Sequence, residues 1–216
     1  MPRRNLDAPA AIKAVIFDLD GTITRPRLDF DAIRAELALP PKQPVLEAMA
    51  QMSPERCAAA EAVLERHERE AAEQSELHDG AHATLEGLRQ RGIRTGLLTR
   101  NSRRSTDTVL AKHDLAFDFI RTREDGVTKP SGEPIEVICR VLRVSPARTL
   151  TVGDFLFDIQ AGRAAGTRTA LMIGEREAPP FADEADCVIR DLTEILAIVD
   201  GIAGATTTPT TKQSEP

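Results

Sequence analysis

The chain has 216 residues, a formal charge of −6 and only 3% aromatic residues, with neither Trp nor Tyr. That length accommodates one domain plus an insertion around a sizeable core, while the acidic balance and the lack of a basic stripe or stacking aromatics exclude nucleic acid as the expected partner. Cys57, Cys139 and Cys187 are odd in number and scattered, which argues against a disulfide framework or a Cys-x-x-Cys metal site; no apolar run approaches the roughly 20 residues of a spanning helix, so no membrane partner and a cytoplasmic location are expected.

Ala14-Val15-Ile16-Phe17 is a short, β-branched apolar run that reads as a strand buried on both faces. It ends in Asp18-Leu19-Asp20-Gly21-Thr22. Carboxylates spaced i, i+2 at a strand end project to one side, so Asp18 and Asp20 are placed to face one substrate. Residues 26–79 then shift to Ala, Glu, Arg and Leu with few β-branched residues, a helical composition. Asp29 or Asp31 opens a helix to about Leu39, Pro40, Pro41 and Pro44 interrupt it, and a short helix covers Val45 to Met52. Ser53-Pro54-Glu55 starts a long helix to about Gln74. Its apolar positions Ala59, Ala62, Val63 and Leu64 form a thin stripe, which predicts a lightly packed, movable lid.

The remainder alternates as an α/β, doubly wound, Rossmann-like parallel sheet should. A helix from about Ala81 to Arg91 precedes a strand over Ile93 to Leu98, which ends in Thr99-Arg100-Asn101-Ser102 before a helix from about Arg103 to His113. A hydroxyl and exposed amides at a strand-to-helix junction form a natural phosphate cradle, with Thr99, Arg100 and Asn101 as its candidates. A strand near Phe117 to Ile120 leads to Lys129-Pro130, where Lys129 offers a cation to phosphate, and a helix follows over Glu133 to Leu142. Arg148 to Val152 is a further buried strand, broken by Gly153, with Asp154 and Asp158 flanking the start of a helix to about Gly166. Strands over Thr167 to Met172 and Cys187 to Ile189 and a helix over Leu192 to Val199 complete the core, and the Thr-rich tail from Gly204 is expected to be disordered.

Ligands of open α/β sheets bind at the carboxyl ends of the strands. Carboxylates gathered there repel one another, and Mg²⁺ is the simplest compensation because it takes a few carboxylates and leaves room for a phosphate oxygen.

In their order, Asp-x-Asp-Gly-Thr, Leu-Leu-Thr, Lys-Pro and Val-Gly-Asp-x-x-x-Asp, these motifs resemble the haloacid dehalogenase superfamily, and its phosphoglycolate phosphatase-like branch with a small helical cap. The resemblance implies Asp18 as nucleophile and metal ligand, Asp20 as acid/base and backbone-carbonyl metal ligand, Thr99 and Lys129 on the phosphoryl group, and Asp154 and Asp158 on the metal. It places the core at 1–25 and 80–203 and the cap at 26–79. Phe155 departs from the pattern, since many relatives carry Ser or Thr there. Asp20 favours a phosphate ester over a carbon–halogen bond. The expected activity is Mg²⁺-dependent hydrolysis of a small phosphorylated metabolite, phosphoglycolate or a sugar phosphate, by a monomer or homodimer. The alternatives are a phosphomutase and a non-catalytic binding relative.

Other residues carry weaker signals. His78 and His82 read as a solvated junction rather than a zinc pair; Arg25, Arg27 and Arg34 as surface salt bridges rather than an anion site; and Glu61, Glu65, Glu68 and Glu73 as a solvated face. Arg100 and Arg123 flank the motifs.

Overall fold

Strand β1 (Ala14–Phe17) is buried at all four residues, as an apolar run without polar alternation requires. In the computed structural model, which describes residues 11–201, it lies inside a six-stranded, all-parallel sheet with β2 (Arg94–Leu98), β3 (Phe119–Arg121), β4 (Thr149–Gly153), β5 (Arg168–Met172) and β6 (Cys187–Ile189). Arg3, Arg4 and the tail from Gly204 lie outside the described residues.

The strand order is β3-β2-β1-β4-β5-β6. The chain therefore reverses its direction of travel across the sheet between β1 and β4, and a crevice opens at that switch point. Side-chain alternation sorts the core into two layers. Val15 and Phe17 join Leu88, Val109 and Ile195 on one face, from helices α4 (Ala81–Gln90), α5 (Arg103–Lys112) and α8 (Glu194–Val199). Ala14 and Ile16 join Ile135, Ile138 and Ala161 on the other, from α6 (Glu133–Leu142) and α7 (Leu156–Ala165). No helix among the described residues is long and apolar enough to cross a membrane.

Between β1 and α4 stand three helices, α1 (Phe30–Glu36), α2 (Val45–Met49) and α3 (Pro54–Glu73). Asp29 caps α1 by accepting from the amides of Asp31 and Ala32, and Ser53 caps α3 through Arg56 N. The first two helices end about three residues earlier than the sequence predicts. At α1 the chain turns through Ala38, whose φ is positive, ahead of Pro40, because a residue preceding proline is disfavoured in helical conformation. The three helices share an apolar cluster of Ile33, Val45, Met49, Ala60 and Leu64, separate from the sheet's core. The chain leaves and rejoins the sheet through a narrow neck: Thr24 and Leu77 form an antiparallel bridge, Arg25 N donates to Glu76 O at 2.8 Å and His78 N to Ile23 O at 2.9 Å.

Two expectations for α3 need correction. Ala59 and Ala62 are exposed, and the buried stripe runs through Ala60, Leu64, Glu68 and Ala72 at i, i+4 spacing. Nor does α3 pack lightly. Glu68 is only 3% exposed, accepts from Ser102 N at 3.1 Å at the start of α5, and pairs with Arg123, so only Glu61, Glu65 and Glu73 of that set face solvent. Replacing Glu68 with Ala strands a largely buried guanidinium, and urea unfolding is expected to show a loss of about 3–5 kcal/mol; a loss below about 1 kcal/mol would mark the pair as an ordinary surface bridge.

Candidate active site

The carboxyl ends of β1 and β4 adjoin at the switch point, and each delivers acidic residues directly after its last buried position. The sequence allows this because two glycines reserve the space. A Cβ on Gly21, where φ is +79°, would lie 2.2 Å from Asp154 Oδ2, and one on Gly153 would lie 2.1 Å from Asp158 Cβ. Oxygen atoms of Asp18, Asp154 and Asp158 consequently lie within 4.8 Å of one another.

Lys129, which precedes α6, enters this cluster. Its Nζ donates to Asp18 Oδ1 at 2.5 Å and to Asp158 Oδ1 at 2.6 Å, and Asp158 Oδ2 accepts from Phe155 N at 3.0 Å. Arg176, on the loop after β5, donates to Asp154 Oδ2 at 3.0 Å. Burial pushes the Asp18 carboxyl well above the usual carboxylate range; Lys129 pulls it down, and Asp158 and Asp154 push it up again. Burial and then Asp158 drive Asp154 up to about 6 against the pull of Arg176. Burial alone would lower Lys129, but the carboxylates of Asp158 and Asp18 outweigh it and hold the ammonium charged.

Three hard oxygen donors with net negative charge suit a small divalent cation. At metal–oxygen distances of about 2.0–2.1 Å, octahedral donors lie about 3–4 Å apart, so the carboxylates fit such an ion after a modest contraction. The side chain of Asp20 stands apart from this cluster. It accepts from Asn101 Nδ2 and, at 3.3 Å, from Thr24 Oγ1; burial raises its pKa, and these two hydrogen bonds oppose the rise.

The phosphate cradle expected at β2–α5 is largely occupied by the protein itself. Asn101 N donates to Thr99 Oγ1 at 3.2 Å, Ser102 N to Glu68, and Arg103 N to Glu124 at 3.0 Å. The positive end of α5 is thus met by carboxylates, a favourable use of the helix dipole. Asn101 lines the cavity and hydrogen-bonds both Asp20 and Thr99. Arg100 lines the cavity, bonds Glu47 of α2 at 2.7 Å and lies 5.0 Å from the centre of the Phe157 ring. Thr99 and Lys129 line the cavity together with Arg100 and Asn101.

A cavity of about 640 Å³ opens from these residues to α1, α2 and α3. Arg27 pairs with Glu76 at 2.5 Å and Arg25 with Asp79 at 3.1 Å, as the salt-bridge reading expects, whereas Arg34, which lines the cavity and bonds Asp31 at 2.6 Å, is largely buried and its Nε has no partner. His82 is exposed. His78 is half-buried; burial and the nearby Arg25 and Arg176 lower its pKa, and neither histidine belongs to the acidic cluster. Sequence reasoning missed Arg176, Glu68 and Thr24. Arg176 was within reach of it, because it follows the apolar run of β5 and hence sits at the same sheet edge.

Residues 12–166 match the haloacid dehalogenase-like hydrolase family. The chain belongs to this family. Within it, the N-acetylmuramic acid 6-phosphate phosphatase of Pseudomonas aeruginosa is 30% identical over 215 residues, spanning 88% of this chain and 95% of that protein. The phosphatase of the same name from Pseudomonas putida is 32% identical over 217 residues, spanning 88% and 96%. The crystal structure of a hydrolase from Pseudomonas syringae aligns with a TM-score of 0.76 at 18% identity, over 89% of this chain and 100% of that one, a likeness of fold.

A divalent cation held by this acidic cluster would compete with protons for Asp154. Its folded pKa of about 6 lies above its unfolded value of 3.8, so its contribution to the stability of the metal-free protein is greatest below 3.8 and is lost as pH rises through 6. Added Mg²⁺ is therefore expected to raise the melting temperature more at pH 7 than at pH 5. Thermal scans with and without the ion check this, and a pH-independent increment would overturn it.

Proposed function

We propose that this protein is a Mg²⁺-dependent phosphomonoester hydrolase that acts on a small phosphorylated metabolite through a phosphorylated Asp18. The observation that carries this reading is the arrangement at the cavity floor: Lys129 bridges Asp18 and Asp158 while Asp20, two residues on, is held separately by Asn101 and Thr24. A nucleophile and an acid/base need such different surroundings to hold different protonation states.

Bound Mg²⁺, held by Asp18, Asp154 and Asp158 with the Asp20 carbonyl, would supply charge neutralisation for the phosphoryl oxygens. Lys129 holds Asp18 through Oδ1, opposing the rise that burial imposes on its pKa and orienting the carboxylate as it attacks phosphorus. The Asp18–phosphorus bond forms and the ester bond breaks, with Asp20 giving its proton to the departing alkoxide. Asp20, now a carboxylate, takes a proton from the water that attacks the phosphorylated Asp18, releasing phosphate and restoring both residues. Thr99 and Lys129 orient the phosphoryl oxygens, so the rate rests on alignment and charge stabilisation. The α1–α3 segment acts as a cap that excludes water and selects the leaving group.

Sugar phosphates and phosphoglycolate are the candidate substrates. N-acetylmuramic acid 6-phosphate comes first among them, because two relatives bear that phosphatase name. In a phosphate-release assay over such a panel, chelator and Asp18→Asn are each expected to bring turnover to background, and Asp20→Asn to lower it about 10²–10⁴-fold. Undiminished release by Asp18→Asn would remove Asp18 as the nucleophile.

A further inference from the structure

Four large apolar side chains stand exposed among the described residues, and two of them, Phe30 at 47% and Phe155 at 53%, line the cavity that holds the carboxylates. They come from different parts of the fold. Phe30 opens α1, whereas Phe155 directly follows Asp154 at the end of β4.

Phe155 is exposed but held in place. Its ring meets Phe157 edge-on at 5.2 Å and Phe181 at 6.0 Å. Phe157 in turn carries the Arg100 guanidinium, which is tied to Glu47 of α2. Leu28 and Leu46 extend the apolar wall towards the helical segment. A large apolar side chain left in water inside a concave site usually marks a surface that a ligand covers. The cavity's volume of about 640 Å³ also matches drug-sized ligands better than a two-carbon ester.

We infer that Phe30 and Phe155 clamp the leaving group of the substrate, which is a phosphomonoester of a ring-bearing alcohol, such as a substituted hexose, rather than of a two-carbon acid. This rests on the hydrolase reading of the site and assigns its specificity to two residues. The non-polar C–H face of a sugar ring or its acyl substituent covers the phenyl surfaces, while the phosphoryl group lies over Asp18 and Lys129.

The test compares kcat/KM for N-acetylglucosamine 6-phosphate and for phosphoglycolate in the wild type, Phe155→Ser, Phe155→Leu and Phe30→Ser, each with Mg²⁺. Wild type is expected to prefer the sugar ester. Each Ser variant should cut that preference about tenfold, roughly 1.4 kcal/mol, mainly through KM, and Phe155→Leu should restore part of it. Equal losses on both substrates, or a wild-type preference for phosphoglycolate, would overturn the clamp. Calorimetric binding of the same two esters to Asp18→Asn, with and without Phe155→Ser, separates the two readings. If wild type releases no phosphate, tighter binding of the sugar ester that Phe155→Ser abolishes upholds the clamp while the hydrolase reading falls. Equal or absent binding overturns the clamp.

Discussion

The ammonium of Lys129 is the charge on which the site depends. It touches Asp18 from 111 positions away in sequence and Asp158 from 29 positions away, with all three side chains largely removed from water. Like charges at this separation in a poorly screened interior repel strongly, so the carboxyl ends of β1 and β4 could not carry such acids side by side without a cation between them. The sheet order supplies the meeting point, the glycines at 21 and 153 supply the room, and the start of α6 supplies the cation. A metal then adds to an arrangement that is already partly neutralised.

The same electrostatic economy governs the join between the helical segment and the sheet. The positive end of α5 is a ready anion site, yet Glu68 and Glu124 occupy it. What lines the cavity beside the carboxylates is a hydroxyl at Thr99, a charged amine at Lys129 and the side chains of Arg100 and Asn101. Glu68 binds α3 to the same turn that carries Thr99 and Asn101, so the position of the helices over the cavity and the geometry around Asp20 share one set of hydrogen bonds.

Much of this was legible in the sequence where local chemistry decides it. The apolar runs before Asp18 and Asp154 identified the two central strands, Ser53-Pro54 marked the start of α3, and the helix expected after Lys129-Pro130 lies at Glu133–Leu142. The order of the motifs gave the family. Side-chain direction over long separations was not legible. Glu68 sits among exposed glutamates in sequence and only the packing of α3 against α5 reveals it as buried; Arg100 and Asn101 adjoin a motif, yet tertiary partners at Glu47 and Asp20 claim their donors. Helix ends near Pro40 and after Met49 shifted for a related reason, since turn conformation there outweighs a continuing helical composition.

The neck at Thr24 and Leu77 has a consequence for how such a protein diversifies. Chain departs and returns at adjacent, hydrogen-bonded points, and beyond them α3 is fastened to the core through Glu68 and Ala72. Loop-closure entropy grows slowly with length, and the helices carry their own apolar cluster. Insertions or deletions in the segment before α3 would leave the strand register and the carboxylate positions untouched, provided that Glu68 and Ala72 keep their places against the core. The two helices before α3 can thus be revised as a unit while α3 and the strand ends that carry the acidic residues stay fixed.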